Sequence, residues 1–141
     1  MIQTPFLAVD GIVQLYDHSE NFLGIILIER KNPPHGWAFP GGFVDIGESV
    51  ASALIREMEE EITLKVEIEY LQGLYSDPKR DPRFHTVSAV FVCRATGFPE
   101  AADDAGNVRI VTKEEAKMLS LAFDHFQILS DFLEGKRGVA S

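Results

Sequence analysis

Glu57, Glu60 and Glu61, with Arg56 beside them and Glu48 eight residues upstream, are the residues of this chain whose types and spacing could do chemistry. A helix starting at Ser49 and turning roughly 100° per residue puts Val50, Leu54 and Met58 on one apolar stripe. It gathers Glu57, Glu60 and Glu61 along the edge of that stripe and turns Glu59 away. Carboxylates three and four apart repel by about 0.2–0.5 kcal/mol per pair, and near a helix C-terminus they also oppose the macrodipole. The string Glu57-Met58-Glu59-Glu60-Glu61 is therefore either a solvated acidic face or a site whose cation offsets the repulsion. Mg²⁺ suits the second reading, because it takes octahedral oxygen ligands, often a few carboxylates completed by phosphate oxygens and water. An Arg56–Glu48 pair would tie the loop to the helix.

A second stretch, Tyr75 to Ser88, carries two prolines that stiffen a loop presenting Lys79, Arg80 and Arg83, with His85 at the entrance to the next strand. Such a loop is either a basic surface turn or a phosphate clamp. Beside a metal site the clamp is favoured, since arginine forks match phosphate geometry. Trp37 and Phe39 flank the glycine turn and serve either as an adenine platform or as core. His18, His35 and His125 lack metal-ligand spacing and read as surface or packing residues. The single Cys93, in Val90-Phe91-Val92-Cys93, excludes an internal disulfide and reads as a packed strand residue.

The elements that must position these groups follow from pattern. Leu7 to Tyr16 and Phe22 to Arg30 read as strands joined by a polar turn, which makes a hairpin. The turn Phe39-Pro40-Gly41-Gly42 feeds the acidic helix, and Val66 to Tyr75, Phe84 to Ala95 and Val108 to Val111 read as further strands. Loops are expected over Asp77 to Arg83 and Thr96 to Asn107. Thr112 and Glu115 form a capping box, and Ala122, Phe126, Leu129 and Leu133 lie at helical spacing before Gly135.

A length of 141 residues suits one domain spanning 1–141, and 45% hydrophobic residues supply a real core. Nothing after Gly135 reads as a further domain. The longest apolar run, Phe22 to Ile28, is too short to cross a membrane, and no signal peptide is legible, so a cytoplasmic protein is expected. A net charge of −9 argues against a broad nucleic-acid surface, which needs clustered Lys and Arg.

The stretch from Gly42 to Leu64 resembles the signature of the Nudix hydrolases: Gly, five residues, Glu, seven residues, Arg-Glu, an apolar residue, any residue, Glu-Glu, any residue, Gly, apolar. Gly42, Glu48, Arg56, Glu57, Met58, Glu60, Glu61 and Leu64 fall on it, and Thr63 replaces the late glycine. A β-branched residue is uncomfortable in the left-handed conformation that glycine adopts there, so a different helix exit is expected. Residues Ser76, Pro78, Arg80, Asp81, Pro82, Arg83, His85 and Ser88 further resemble a loop pattern of the family's ADP-ribose pyrophosphatases. The likeness extends to TPFLAVDGIV, WAFPGGFVDIGES and LAFDH.

The resemblance implies an α/β fold, a Nudix-like α/β/α sandwich with a mixed β-sheet. It implies Mg²⁺, with Mn²⁺ as the alternative, held by Gly41, Glu57, Glu60 and Glu61, and catalysis by Glu60, Glu61, Arg56 and Glu48. It places the substrate on Arg80, Arg83, His85 and Ser88, and implies hydrolysis of ADP-ribose to AMP and ribose 5-phosphate by a homodimer. Asn107 stands where the subgroup places a glutamate, and an amide is no general base. Asp103, Asp104, Glu100 and the box glutamates remain candidates, with Glu60 preferred for its nearness to the metal. Two alternatives stay open: action on nucleoside triphosphates or other nucleoside-diphosphate sugars, and a catalytically weak nucleotide-sensing module.

Overall fold

The computed structural model describes residues 1–101 and 106–141. Asp103 and Asp104, two of the candidate bases, lie outside them. Among the described residues eight strands form one mixed sheet: β1 (Phe6–Tyr16), β2 (Phe22–Arg30), β3 (Gly36–Ala38), β4 (Gly41–Phe43), β5 (Glu67–Tyr75), β6 (Thr86–Thr96), β7 (Val108–Val111) and β8 (Val139–Ala140). Three helices accompany them: α1 (Val50–Ile62), α2 (Lys113–Met118) and α3 (His125–Leu133). The main path runs β3-β2-β1-β6-β5-β8, with β4 on β1 and β7 on β2. The β1–β6 pair at its centre is parallel, as is β5–β8, and the remaining pairs are antiparallel.

Alternation along the central strands divides the core in two. Ala89, Phe91 and Cys93 of β6 face α1, whose Ala53, Leu54, Met58 and Ile62 are buried. Val90 and Val92 face the other way, against Ala116 of α2 and Ile128, Leu129 and Phe132 of α3. Both faces of β6 are thus covered, as expected of a strand in the middle of a layered fold. Each fully buried Leu or Met side chain stabilises the fold by about 1.5–3 kcal/mol. The arrangement is the expected α/β/α sandwich, and Cys93 is a core residue.

Helix α1 starts where Ser49 Oγ accepts the Ser52 N–H at 3.1 Å. Its exit does not depart from the signature as expected. Thr63 itself adopts the left-handed conformation, φ 58°, ψ 29°. Its Oγ1 and the Ile62 carbonyl both accept the Glu100 N–H, at 3.1 and 3.0 Å, which offsets the strain that a β-branched residue incurs there.

Other expectations need correction. Strands β3, β4 and β8 have two or three residues each, too few to show a period. The final helix begins at His125, because Phe123 takes a left-handed φ of 55° just before it. Its buried stripe is Ile128, Leu129 and Phe132, while Phe126 is 62% exposed. Among the described residues no helix is long and apolar enough to cross a membrane.

Candidate functional site

The box helix and the glycine turn meet at β4, which pairs with β1. Gly42 pairs with Val9 and Gly41 with Asp10, and Gly11 N–H donates to the Pro40 carbonyl at 2.9 Å. A methyl group on Gly42 would overlap the Glu57 carboxylate, and one on Gly41 would overlap the Val9 carbonyl and the Asp10 side chain. Glycine at 41 lets the turn lie against the backbone of β1, and glycine at 42 leaves room for the Glu57 carboxylate.

Arg56 organises the carboxylates. Its Nε donates to Glu48 Oε2 at 2.6 Å and its Nη2 to Glu48 Oε1 at 2.8 Å, while Nη1 donates to Glu57 Oε1 at 2.9 Å and Glu60 Oε2 at 3.1 Å. Nη2 also reaches the Phe43 carbonyl at 3.1 Å, so the expected tie between loop and helix is made. The Arg56 hydrogen bonds hold the Glu48 carboxyl down at about 2, and the arginine is correspondingly pushed up. Burial raises the Glu57 carboxyl above its usual range, against the pull of Arg56. Glu61 Oε2 accepts the Gly41 N–H at 3.1 Å.

Glu57, Glu60, Glu61 and Gly41 line one cavity of about 240 Å³, together with Glu29 and Arg30. Among the described residues no three carboxylate, His or Cys groups converge into a finished metal cage. The donor set is nonetheless all oxygen, with a backbone turn cradled against Glu57. That fits a Mg²⁺-like ion, which takes few protein ligands and completes its shell with water and phosphate.

A second cavity of about 190 Å³ adjoins the first and shares Ile28, Arg30, Gly41 and Glu61 with it. Asp10, Phe39, Phe43, Arg80, Asp81, Arg83, Phe123 and His125 are among the residues that line the rest of it. The sequence-predicted substrate residues separate here. Arg83 packs over Phe84 at 5.0 Å, Phe123 at 5.3 Å and Phe43 at 6.0 Å, and its Nε and Nη2 donate to Asp81 at 3.0 and 2.8 Å. Arg80 is buried, its Nη2 and Nε donating to Asp124 at 2.7 and 2.9 Å. His85 turns its Nε2 to the Ser76 carbonyl at 3.1 Å and does not line the cavity. Ser88 is buried and donates to Asp10. Phe39 is core, and Trp37 packs on the same core cluster.

Sequence reasoning missed Asp10, Arg30, Phe43, Phe123 and the role of His125. A signal existed for Asp10, a lone carboxylate in the apolar run Leu7 to Val13. His125 is buried, and its Nδ1 accepts the Phe39 N–H at 3.1 Å, so the neutral ring carries its proton on Nε2, 3.8 Å from Asp10 Oδ2. The ring thereby holds the turn that leads to Gly41.

Burial pushes Asp10 up to about 6 and His125 down to about 3. The two act oppositely on acid stability. Unfolded histidine charges near 6.5, so His125 contributes stability that is present above that pH and is lost as pH falls toward 3. Asp10 binds its proton first in the folded state, so it adds stability as pH falls from 6 to 3.8. Asp10→Asn removes this compensation. Urea unfolding between pH 6 and 4 should then show the variant losing stability more steeply than wild type, by up to about 1.4 kcal/mol per pH unit. Parallel pH profiles would contradict the assignment.

A family model described as the NUDIX domain matches residues 5–132. The ADP-ribose pyrophosphatase of Methanocaldococcus jannaschii is 40% identical over 137 residues, which cover 95% of this chain and 76% of that protein. The ADPR responsive transcriptional repressor NtrR of Acinetobacter baylyi is 31% identical over 134 residues, 89% of this chain and 52% of the repressor. Among solved structures, a bifunctional NMN adenylyltransferase/ADP ribose pyrophosphatase from Francisella tularensis, complexed with AMP and a manganese ion, is 28% identical with a TM-score of 0.74, over 95% of this chain and 42% of that one. The chain thus spans about half the length of the repressor and less of the bifunctional enzyme. With three glutamates of the signature lining one acidic cavity and the family model matching nearly the whole chain, the protein belongs to the Nudix hydrolases.

Proposed function

We propose that this Nudix pyrophosphatase hydrolyses the diphosphate of ADP-ribose, releasing AMP and ribose 5-phosphate, with Mg²⁺, or Mn²⁺ in its place, as cofactor. One observation carries the reading. The acidic cavity and the arginine-and-aromatic cavity meet at Gly41 and Glu61, so a diphosphate across the join has cation-binding oxygens on one side and partners for a planar base on the other. The M. jannaschii relative supports the substrate, and the Francisella structure supports the cofactor class.

Glu57, Glu60, Glu61 and the Gly41 carbonyl would hold the cation. When bound, it lowers the pKa of water, polarises phosphoryl oxygens and offsets charge on the leaving phosphate. Arg56, anchored by Glu48, orients Glu57 and Glu60. The Glu60 side chain, 60% exposed in the cavity wall, accepts the proton of the attacking water. Arg83 grips phosphate oxygens, and Arg80 supplies fixed charge from behind its pair with Asp124. Ser88 acts through Asp10, and His85 through the Ser76 carbonyl. Asn107 Nδ2 donates to Glu29 Oε1 at 2.8 Å and takes no part in proton removal.

The reading takes residues 1–141 as one domain that works in the cytoplasm as a homodimer. Phe6, Phe43 and Phe84 pack on one another at 4.6–6.0 Å and remain 38–55% exposed beside the cavity, which suits cover by a second copy.

The test is product analysis with Mg²⁺ and, separately, ADP-ribose, NADH, ATP and an oxidised guanosine triphosphate. AMP and ribose 5-phosphate formed fastest from ADP-ribose support the reading, and faster cleavage of another nucleotide overturns the substrate. A sensor is the second reading, favoured by Asn107 at the place of a general base and by the likeness to a repressor. Tight ADP-ribose binding with no product, with either metal, would select it.

A further inference from the structure

Arg30, at the end of β2, is the one arginine among the described residues that lines both cavities. Its Nε donates to the Pro34 carbonyl at 2.7 Å and its Nη2 to the Pro33 carbonyl at 3.4 Å. Those partners are neutral. Arg56, Arg80 and Arg83, by contrast, each donate to carboxylates, on Glu48, Asp124 and Asp81. Of these four, Arg30 is the one whose hydrogen bonds reach no carboxylate.

Phe123 holds this guanidinium and that of Arg83 on one ring, at 4.7 and 5.3 Å from its centroid. The ring is placed by a backbone in the left-handed region, φ 55°, which a bulky residue rarely adopts. Strain of that kind persists only where the surroundings demand it. Burial and repulsion from Arg83 both depress Arg30 below the usual arginine range, against Asp81, Glu61 and Asp10 nearby. Two guanidiniums brought onto one ring repel, and an anion with several oxygens placed at the pair removes the repulsion.

We infer that Arg30 binds the diphosphate of a nucleoside diphosphate where the two cavities join, and that Phe123 is the spacer that presents Arg30 and Arg83 to it as a pair. This rests on the proposed pyrophosphatase reading for the location of the diphosphate, and deepens it by assigning a binding residue outside both sequence motifs.

The test is calorimetric binding of ADP and of adenosine to metal-free protein in EDTA, where no turnover occurs. Wild type is expected to prefer ADP by about 10-fold or more, the scale of one or two charge-assisted hydrogen bonds. Arg30→Met should abolish most of that preference and leave adenosine binding unchanged. Arg30→Lys, which keeps the charge and loses the fork, should reduce it at least threefold. Lys65→Met, the same charge change at an exposed site, should leave it intact. An unchanged preference in Arg30→Met or Arg30→Lys overturns the inference, as does an equal loss for both ligands. Should Arg30→Met melt early, the Arg30→Lys ratio decides alone. A protein that shows the Arg30-dependent preference but yields no AMP from ADP-ribose would refute the proposed reaction and leave this inference standing.

Discussion

Glu61→Gln should lower kcat for ADP-ribose by about 10²–10⁴-fold, the range lost when a proton-handling or charge-bearing group leaves an active site, while the folded protein stays at least as stable. Glu61 is the carboxylate common to both cavities, and its Oε2 accepts the Gly41 N–H at 3.1 Å. Glutamine keeps an oxygen for that bond and removes only the charge. It also relieves repulsion from Glu57 one turn earlier, worth about 0.2–0.5 kcal/mol. Activity and stability are therefore expected to part company. A variant that retains wild-type kcat would remove Glu61 from the chemistry, and one that melts early would mean that the Gly41 turn depends on its charge.

Asp124→Ala should cost about 3 kcal/mol, a fall in Tm of about 10 °C for a domain of this size. Arg80 is 4% exposed at its side chain and makes two bonds to Asp124, at 2.7 and 2.9 Å. Its remaining contact, the Thr86 carbonyl, lies at 3.4 Å. Removing Asp124 strands a buried cation, which costs more than the pair itself contributes. The Asp124 side chain is 22% exposed, so the loss falls at the lower end of the range for buried pairs. Arg80→Met with Asp124→Ala leaves no buried charge and should recover most of the loss. If the single variant melts with wild type, water reaches Arg80 and the arginine is freer to meet substrate than the geometry indicates.

The contrast between Arg80 and Arg83 shows what sequence holds and what it withholds. Both stand in one proline-stiffened loop, and nothing local distinguishes them. Asp124, 44 residues downstream, pairs with Arg80, while Phe43 of β4 and Phe123 of the turn before α3 come together around Arg83. The carboxylates were legible because one helix sets their geometry, so spacing alone placed Glu57, Glu60 and Glu61 on one side. The layered fold was legible for a similar reason, since β1, β2, β5 and β6 are long enough to show their period. Arg30 was passed over as the polar end of an apolar strand, because most of the wall of both its cavities is built by chain that arrives later. The last helix went astray for a local reason: an apolar stripe starting at Ala122 crosses the left-handed Phe123, and beyond that break the helix presents a different face.

The central pairing of the sheet has a kinetic consequence. Strand β1 lies parallel to β6 along its whole length, from Phe6 opposite Thr86 to Tyr16 opposite Thr96, so every rung joins residues 80 apart in the chain. Closing so long a loop costs entropy before any rung can repay it, and topologies dominated by such contacts fold slowly, on the order of milliseconds to seconds. On the ribosome, the β1–β2 hairpin, the glycine turn and the box helix all emerge while the inner edge of β1 still lacks its neighbour. The acidic helix therefore has no completed floor until Thr96 has left the exit tunnel, and the second cavity waits longer still, for Phe123 and His125.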